Sequence, residues 1–302
     1  MNNQKSYGLL LCIMLIWGLN VPAIKYLTGL ADPITMTSIR IFIAAIVVFL
    51  ILFALGIVRR LTKKEWGYVV AGSLLNVAIH HALMAKGVSL TTGANASLII
   101  GLGPMLTAVL GALLLKNLPT KIQWLGFVIG MSGIACTVIF TAEDLNSLSI
   151  GDFVVFISVL SQAFSFLIIV KAAKTIDARL FTAYMLLVGA ICLAVVALFV
   201  EPNGFQQLPV SQLNFWVVLF LSGAIATAIG HMLYNNTIPK VGAAKASIFI
   251  NFNTLFALTG SALLLGEPIT IYHWLGLVLI VIGVLFGSGS FEYFMKARKN
   301  KS

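Results

Sequence analysis

Long apolar runs follow one another along this chain with little between them, and that pattern restricts the fold more than any motif does. Ten runs fall at 7–27, 33–56, 67–85, 92–115, 124–140, 152–170, 180–200, 213–234, 242–265 and 272–290. About 20 mostly apolar residues carry a helix across the hydrocarbon core of a bilayer. An open strand could not satisfy its backbone groups there, so each run is expected to be a transmembrane helix. Composition agrees: 60% of the 302 residues are hydrophobic and only 9% are charged. Soluble domains carry about 25% charged residues. No linker or low-complexity stretch suggests a soluble domain. The first run is longer than a signal-peptide core and lacks a small-residue cleavage site, so it reads as a first span.

The net charge of +10 would point to nucleic acid in a soluble protein. In a membrane protein, Lys and Arg instead mark the cytoplasmic side. With a cytoplasmic N-terminus, fifteen basic residues fall inside, from Lys5 and the 59–64 cluster to Lys301, and Lys86 alone falls in an outer loop. Asp32, Glu143, Asp144, Asp152, Glu201 and Glu267 then face outward. The expectation is an even span count in the cell membrane, both termini cytoplasmic, and no nucleic-acid partner. Cys12, Cys136 and Cys192 each sit inside an apolar run and are expected to be small buried hydrophobes, not a disulfide framework.

The chain also matches itself at an offset of 150. Trp66 pairs with Trp216, His81 with His231, Ala96-Ser97 with Ala246-Ser247, Thr120 with Thr270, Trp124-Leu125-Gly126 with Trp274-Leu275-Gly276, and Gly133 with Gly283. The tryptophans, histidine and glycines in one ungapped register indicate a duplication. Each copy holds five runs, so the second would enter the membrane from the opposite side. Inverted repeats of this kind are a recurring plan of secondary transporters, with substrate near the midplane between the halves. The expected division is 1–141, 150–290 and a basic cytoplasmic tail at 291–302. The fold class is an all-α membrane protein of ten helices in two inverted five-helix repeats.

Several motifs carry a family resemblance. Trp17-Gly18-Leu19-Asn20 followed by Lys25 resembles the W-G-x-N…K pattern of EamA-type carriers in the drug/metabolite transporter superfamily. Arg40, Ala96-Ser97…Pro104 and Gly266-Glu267-Pro268…Trp274-Leu275-Gly276 are similar to the same family, from about Tyr7 to Ser290. The resemblance implies a ten-helix inner-membrane carrier, commonly an exporter of amino acids, other metabolites or toxic compounds. One departure stands out: Asn117 replaces the Glu usual after the fourth span, and only the second copy, Glu267, keeps it.

Ionisable residues inside spans are rare and mark candidate function. Every Asp and Glu lies at or near a span end, so no midplane carboxylate is available for cations. The cations within spans point instead to a substrate bearing a carboxylate or phosphate, or to a zwitterion. Lys25 reads mainly as snorkelling to the interface; Arg40 reads equally as a helix-end contact or a substrate-path residue. His80 and His81 are about 100° apart on a helix, so only one can point squarely into a cavity. Ser73, Asn76 and His80 form one stripe. His231 lines up with Thr227 and Asn235, Gln162 with Ser158 and Ser165, and Asn251 with Ser247 and Thr254. Each has a second reading as helix-bonding glue. Gly101-Leu102-Gly103-Pro104 predicts a kink, and Gly126, Gly130, Gly133, Gly283 and Gly287 predict close helix packing.

The candidate substrate-binding set is Trp17, Asn20, Arg40, Asn76, His80, His81, Gln162, His231 and Asn251. No cofactor or metal site is expected. The function expected is a secondary transporter of small metabolites, amino acids or other zwitterionic or anionic compounds, working by alternating access as an exporter. The alternatives are a multipass enzyme on lipid-linked substrates, which would need motifs not seen here, and a channel. The partners expected are a small-molecule substrate and the lipid bilayer, with a homodimer as one possible assembly.

Overall fold

In the computed structural model, residues 3–114, 119–141, 149–241, 243–292 and 295 are described, without the side chains of 3–6, 114, 141, 235–236, 238–241 and 243–248. Asn117, Glu143, Asp144, most of the tail, and the side chains of Lys5, Asn235, Lys245 and Ser247 therefore lie outside the described residues.

The described residues fold into helices only. In chain order they are α1 (Asn3–Thr28), α2 (Pro33–Ala54), α3 (Lys63–Gly72), a π-helical segment Ser73–Ile79, α4 (His80–Leu90), α5 (Gly93–Ile100), α6 (Gly103–Leu114) and α7 (Lys121–Thr141). The second half continues with α8 (Ile150–Ala172), α9 (Ala178–Val200), α10 (Leu213–Leu221), a second π-helical segment Ser222–Ile229, α11 (Gly230–Val241), α12 (Ala243–Leu265) and α13 (Ile271–Gly287). Among the described residues eight spans are long and apolar enough to cross a membrane, and Phe249–Leu265 and Ile271–Gly287 are shorter apolar helices. The chain is a multi-pass membrane protein.

Three runs deviate from simple helices. The fourth breaks between α5 and α6, where the Gly-Leu-Gly-Pro sequence lies, as the missing proline N–H requires. The third and eighth each hold one of the π segments, which a hydropathy pattern cannot show. These two irregularities fall at matching places in the 150-residue register. Polar side chains help form them. Ser73 Oγ donates to the Val69 carbonyl (2.7 Å) and to Met185 (3.1 Å), and Thr227 Oγ1 donates to Ser222, five residues back (2.9 Å). Hydroxyls that take helix carbonyls in this way weaken the α-helical ladder locally. Ser73 consequently turns toward α9, leaving the stripe expected with Asn76 and His80.

The packing pairs helices from the two halves. α2 lies against α9 and α7 against α13, and each pair consists of register-equivalent helices. α1 packs on α12 as α8 packs on α5 and α6. The glycine ridges explain the closeness of α7 and α13. A Cβ on Gly126 would run into the backbone of Gly283 and Gly287, and one on Gly283 into Gly130. Gly276 would meet Thr137 in the same seam. Such close approach lets backbones pack through dispersion where no hydrophobic force drives helices together. Cys12 departs from expectation: it is exposed on the outside of the bundle, which is tolerable because lipid tails are as apolar as a core.

The two ends of the bundle differ in charge. Lys25, Asp152, Glu201 and Glu267 gather at one end, where Glu201 and Glu267 cap helices. Glu201 accepts from the backbone N–H groups of Ile34 (3.0 Å) and Thr35 (2.7 Å) at the start of α2. Glu267 accepts from Gly93 (2.8 Å) and Ala94 (2.9 Å) at the start of α5. Negative charge at a helix N-terminus satisfies orphan donors and the macrodipole together. Lys25 does the reverse, donating to Val88 (3.0 Å), Ser89 (3.4 Å) and Thr91 at the end of α4. This replaces the snorkelling expectation: the carbonyls left over at the helix end take the ammonium. The opposite end carries Arg59, which pairs with Glu65 (2.6 Å) and reaches Thr175 (3.2 Å).

Candidate functional site

A polar network runs through the apolar bundle. Its centre is Arg40 on α2, only 1% exposed. Proline at the first turn of α2 and the Glu201 cap fix where that helix starts, which places Arg40 two turns inside it. Its Nη1 donates to Thr227 Oγ1 (2.9 Å), and its Nη2 lies 3.3 Å from His81 Nδ1. Its Nε is buried with no hydrogen-bond partner among the described residues. Both of its contacts are neutral side chains, and no ion pair joins it to a carboxylate among the described residues. A guanidinium so placed is costly unless something negative visits it.

Around Arg40 the second π segment supplies the polar surface. Trp17 donates its indole N–H to the Ala226 carbonyl (2.8 Å), and its ring lies 4.8 Å from His231 and 5.0 Å from Tyr234. His231 Nδ1 is 2.8 Å from the Thr227 carbonyl; since a carbonyl only accepts, that nitrogen carries the proton. Ser222 Oγ donates to Asn20 Oδ1. Trp17, Asn20, Arg40 and His231 are thereby brought together through two residues outside the expected set, Ser222 and Thr227.

A second group forms between α4 and α8. His80 Nδ1 is 3.0 Å from the Ser158 carbonyl, and Gln162 donates to His80 Nε2 (3.0 Å). These bonds hold His80 neutral, with its proton on Nδ1. Asn76 donates to Ser165 Oγ (2.6 Å), and Ser161 Oγ to the Leu75 carbonyl (2.8 Å) in the first π segment. The face expected for Ser158, Gln162 and Ser165 therefore exists and points at α4 and the π segment preceding it.

His81 joins the two groups. Its ring lies 4.8 Å from that of His80, and its Nδ1 meets Arg40. Both adjacent histidines are buried, yet they serve different partners, as their angular separation requires. Arg40, His80, His81 and His231 are close enough to act on one another electrostatically.

Asn251 stands elsewhere. It lines an apolar cavity of about 240 Å³ between α12 and α13, with Phe252, Leu255, Leu277, Val281 and Leu285. Asn253, on the other face of the regular α12, is buried at 7% exposure against α1, with its Oδ1 unpartnered. Among the described residues no cluster of three His, Cys, Asp or Glu could hold a metal. Ser222, Thr227 and Tyr234 touch these residues without belonging to the expected set. The spacing of Thr227 to His231 was a usable signal, whereas Tyr234 looked like any aromatic in an apolar run.

A multi-pass helical bundle with a buried polar centre between two register-equivalent halves defines a membrane transporter. The chain belongs to the EamA-like transporter family, whose pattern it matches twice, over residues 4–139 and 149–288. It is 30% identical over 295 residues to the uncharacterized transporter YyaM of Bacillus subtilis (strain 168), covering 96% of this chain and 95% of that one. An uncharacterized transporter of Synechocystis sp. is 23% identical over 299 residues, covering 93% and 89%. A solved crystal structure shares the fold with a TM-score of 0.67 at 17% identity, covering 94% of this chain and 97% of the other.

Proposed function

We propose that the chain is a secondary carrier that exports small metabolites bearing a carboxylate, amino acids or other zwitterionic or anionic compounds, by alternating access. In this reading ten spans form two inverted five-helix repeats in the cell membrane, with both termini cytoplasmic. The arrangement of ends supports the inversion: Lys25, near the end of α1, and Asp152, at the start of its counterpart α8, converge on Thr91. Two equivalent halves of opposite sense can exchange conformations, which yields inward-open and outward-open states of similar energy.

The observation that carries the substrate class is Arg40, a buried guanidinium whose described partners are all uncharged. An anionic or zwitterionic ligand supplies the missing charge by a charge-assisted, two-pronged contact. His81 touches the guanidinium directly, and Asn20, Asn76, Gln162 and His231 belong to the two polar groups beside it and serve as orienting groups. Counterflow in proteoliposomes tests the reading. Labelled amino or organic acid should enter faster when unlabelled substrate is preloaded, and the rate should saturate. Arg40→Gln should abolish this while the protein still inserts. Flux that rises linearly with concentration, unaffected by preloading, would favour a channel and overturn the carrier.

A further inference from the structure

We infer that His81 takes up a proton when a carboxylate binds at Arg40, so that substrate and proton occupy the carrier together. The inference deepens the anion-site reading and starts from the geometry of one guanidinium edge. Arg40 Nη1 is committed to Thr227. The other edge, formed by Nε and Nη2, is underused among the described residues: Nε is buried without a partner, and Nη2 has only the long 3.3 Å contact to His81. That is the edge a carboxylate grips with both oxygens.

Arginine can only donate, so while its Nη2 faces His81 Nδ1, that ring nitrogen must be unprotonated. A carboxylate arriving on the Nε–Nη2 edge takes the Nη2 hydrogen on that edge and brings an anion beside Nδ1. In a buried site with low effective dielectric, an adjacent anion favours a proton on the imidazole. Nδ1–H then donates to the carboxylate, and the centre holds two cations and one anion in place of one uncompensated cation. The proton comes from solvent; no bond other than N–H is made.

Among the described residues the other groups around His81 make no hydrogen bond to this edge of Arg40. His80, its neighbour on α4, has both nitrogens occupied, by Ser158 and by Gln162. His231, on α11, donates from Nδ1 to Thr227, and its ring rests on Trp17. Arg40, on α2, stays charged throughout. No carboxylate joins this group among the described residues. The consequence is co-transport: a monoanionic substrate leaves with a proton, and the substrate's own gradient drives both.

Acetate is the minimal probe. Calorimetry on the full chain in nanodiscs, in buffers of different ionisation enthalpy, reads the protons taken up on binding; methylammonium serves as the cationic control. Acetate should bind with net proton uptake and methylammonium should not bind. Arg40→Gln should lose binding, whereas His81→Gln should bind acetate more weakly and without the uptake. His273→Gln should change neither, because His273 only caps α13 at Thr270 (3.1 Å) and glutamine can replace it there. Nitrogen-15 shifts of the wild-type His81 ring, with and without acetate, give the same answer should the variant misfold. Acetate that fails to bind, binds without proton uptake, or leaves the His81 shifts unchanged would overturn the inference. Failed counterflow beside intact proton-linked binding would instead remove the carrier reading and leave this site standing.

Discussion

Trp17 donates its indole N–H to the carbonyl oxygen of Ala226, 2.8 Å away, inside the second π-helical segment. Ser161 does the same for Leu75, also at 2.8 Å, inside the first. Trp17 lies on the first helix of one half and Ser161 on the first helix of the other. The two carbonyls fall within one residue of each other in the 150-residue register. π turns leave backbone groups less well committed and recur at functional positions. Each is pinned here from across the boundary between halves.

Breaking either pin should loosen the bundle. Trp17→Phe keeps most of the ring and removes the donor, and Ser161→Ala removes the hydroxyl. Each removes one partly buried hydrogen bond, at a cost of about 0.5–1.5 kcal/mol. Thermal unfolding of the purified protein checks this, and an unchanged melting temperature in both variants would show that the pins are dispensable.

The α7–α13 seam should not tolerate bulk. Gly126 and Gly283 face backbone, which cannot move aside as a flexible side chain can. Gly126→Val or Gly283→Val should cost at least about 1–3 kcal/mol through overpacking. Fluorescence-detected size exclusion should show less monodisperse protein for both. Gly67→Val, where a Cβ meets nothing, should behave like wild type.

Glu267 and Lys25 act on the same joint, the turn between α4 and α5. Glu267→Ala removes the cap of α5 and should destabilise by about 0.5–2 kcal/mol. Lys25→Met strands carbonyls at the end of α4 and should also destabilise. Because both charges hold one turn, the double variant should deviate from additivity. A thermal-shift double-mutant cycle with no coupling would separate the two caps.

His231→Ala removes the ring that rests on Trp17 and the donor to Thr227, which is also the partner of Arg40. Transport should fall while membrane insertion persists. Flux equal to wild type at normal expression would take His231 out of the site.

Reporter fusions check orientation. Fusions active in the cytoplasm should report at both termini, and an extracytoplasmic reporter should be active after Thr28, Leu90, Thr141, Val200 or Leu265. Reversed activity would overturn the topology drawn from the basic residues.

The helical membrane fold, the breaks at Gly101–Pro104 and the glycine seam were legible because they rest on local causes: hydropathy, a missing N–H and a missing Cβ. The duplication was legible because both halves keep one register without gaps. Which polar residues meet was not legible. Arg40 and Thr227 lie 187 positions apart, and Glu267 and Gly93 lie 174 apart; no spacing rule connects such pairs. Lys25 shows the same limit, since a cation near a span end has lipid headgroups and helix carbonyls as rival partners. Only the approach of α4 decided between them. The sequence alone determined that this chain must live in lipid and be built twice, because burying so many apolar residues and repeating one pattern leave no other solution. The tertiary structure alone decided that a guanidinium, three histidines and two widened helix turns share one polar network, because that depends on how helices from separate halves cross.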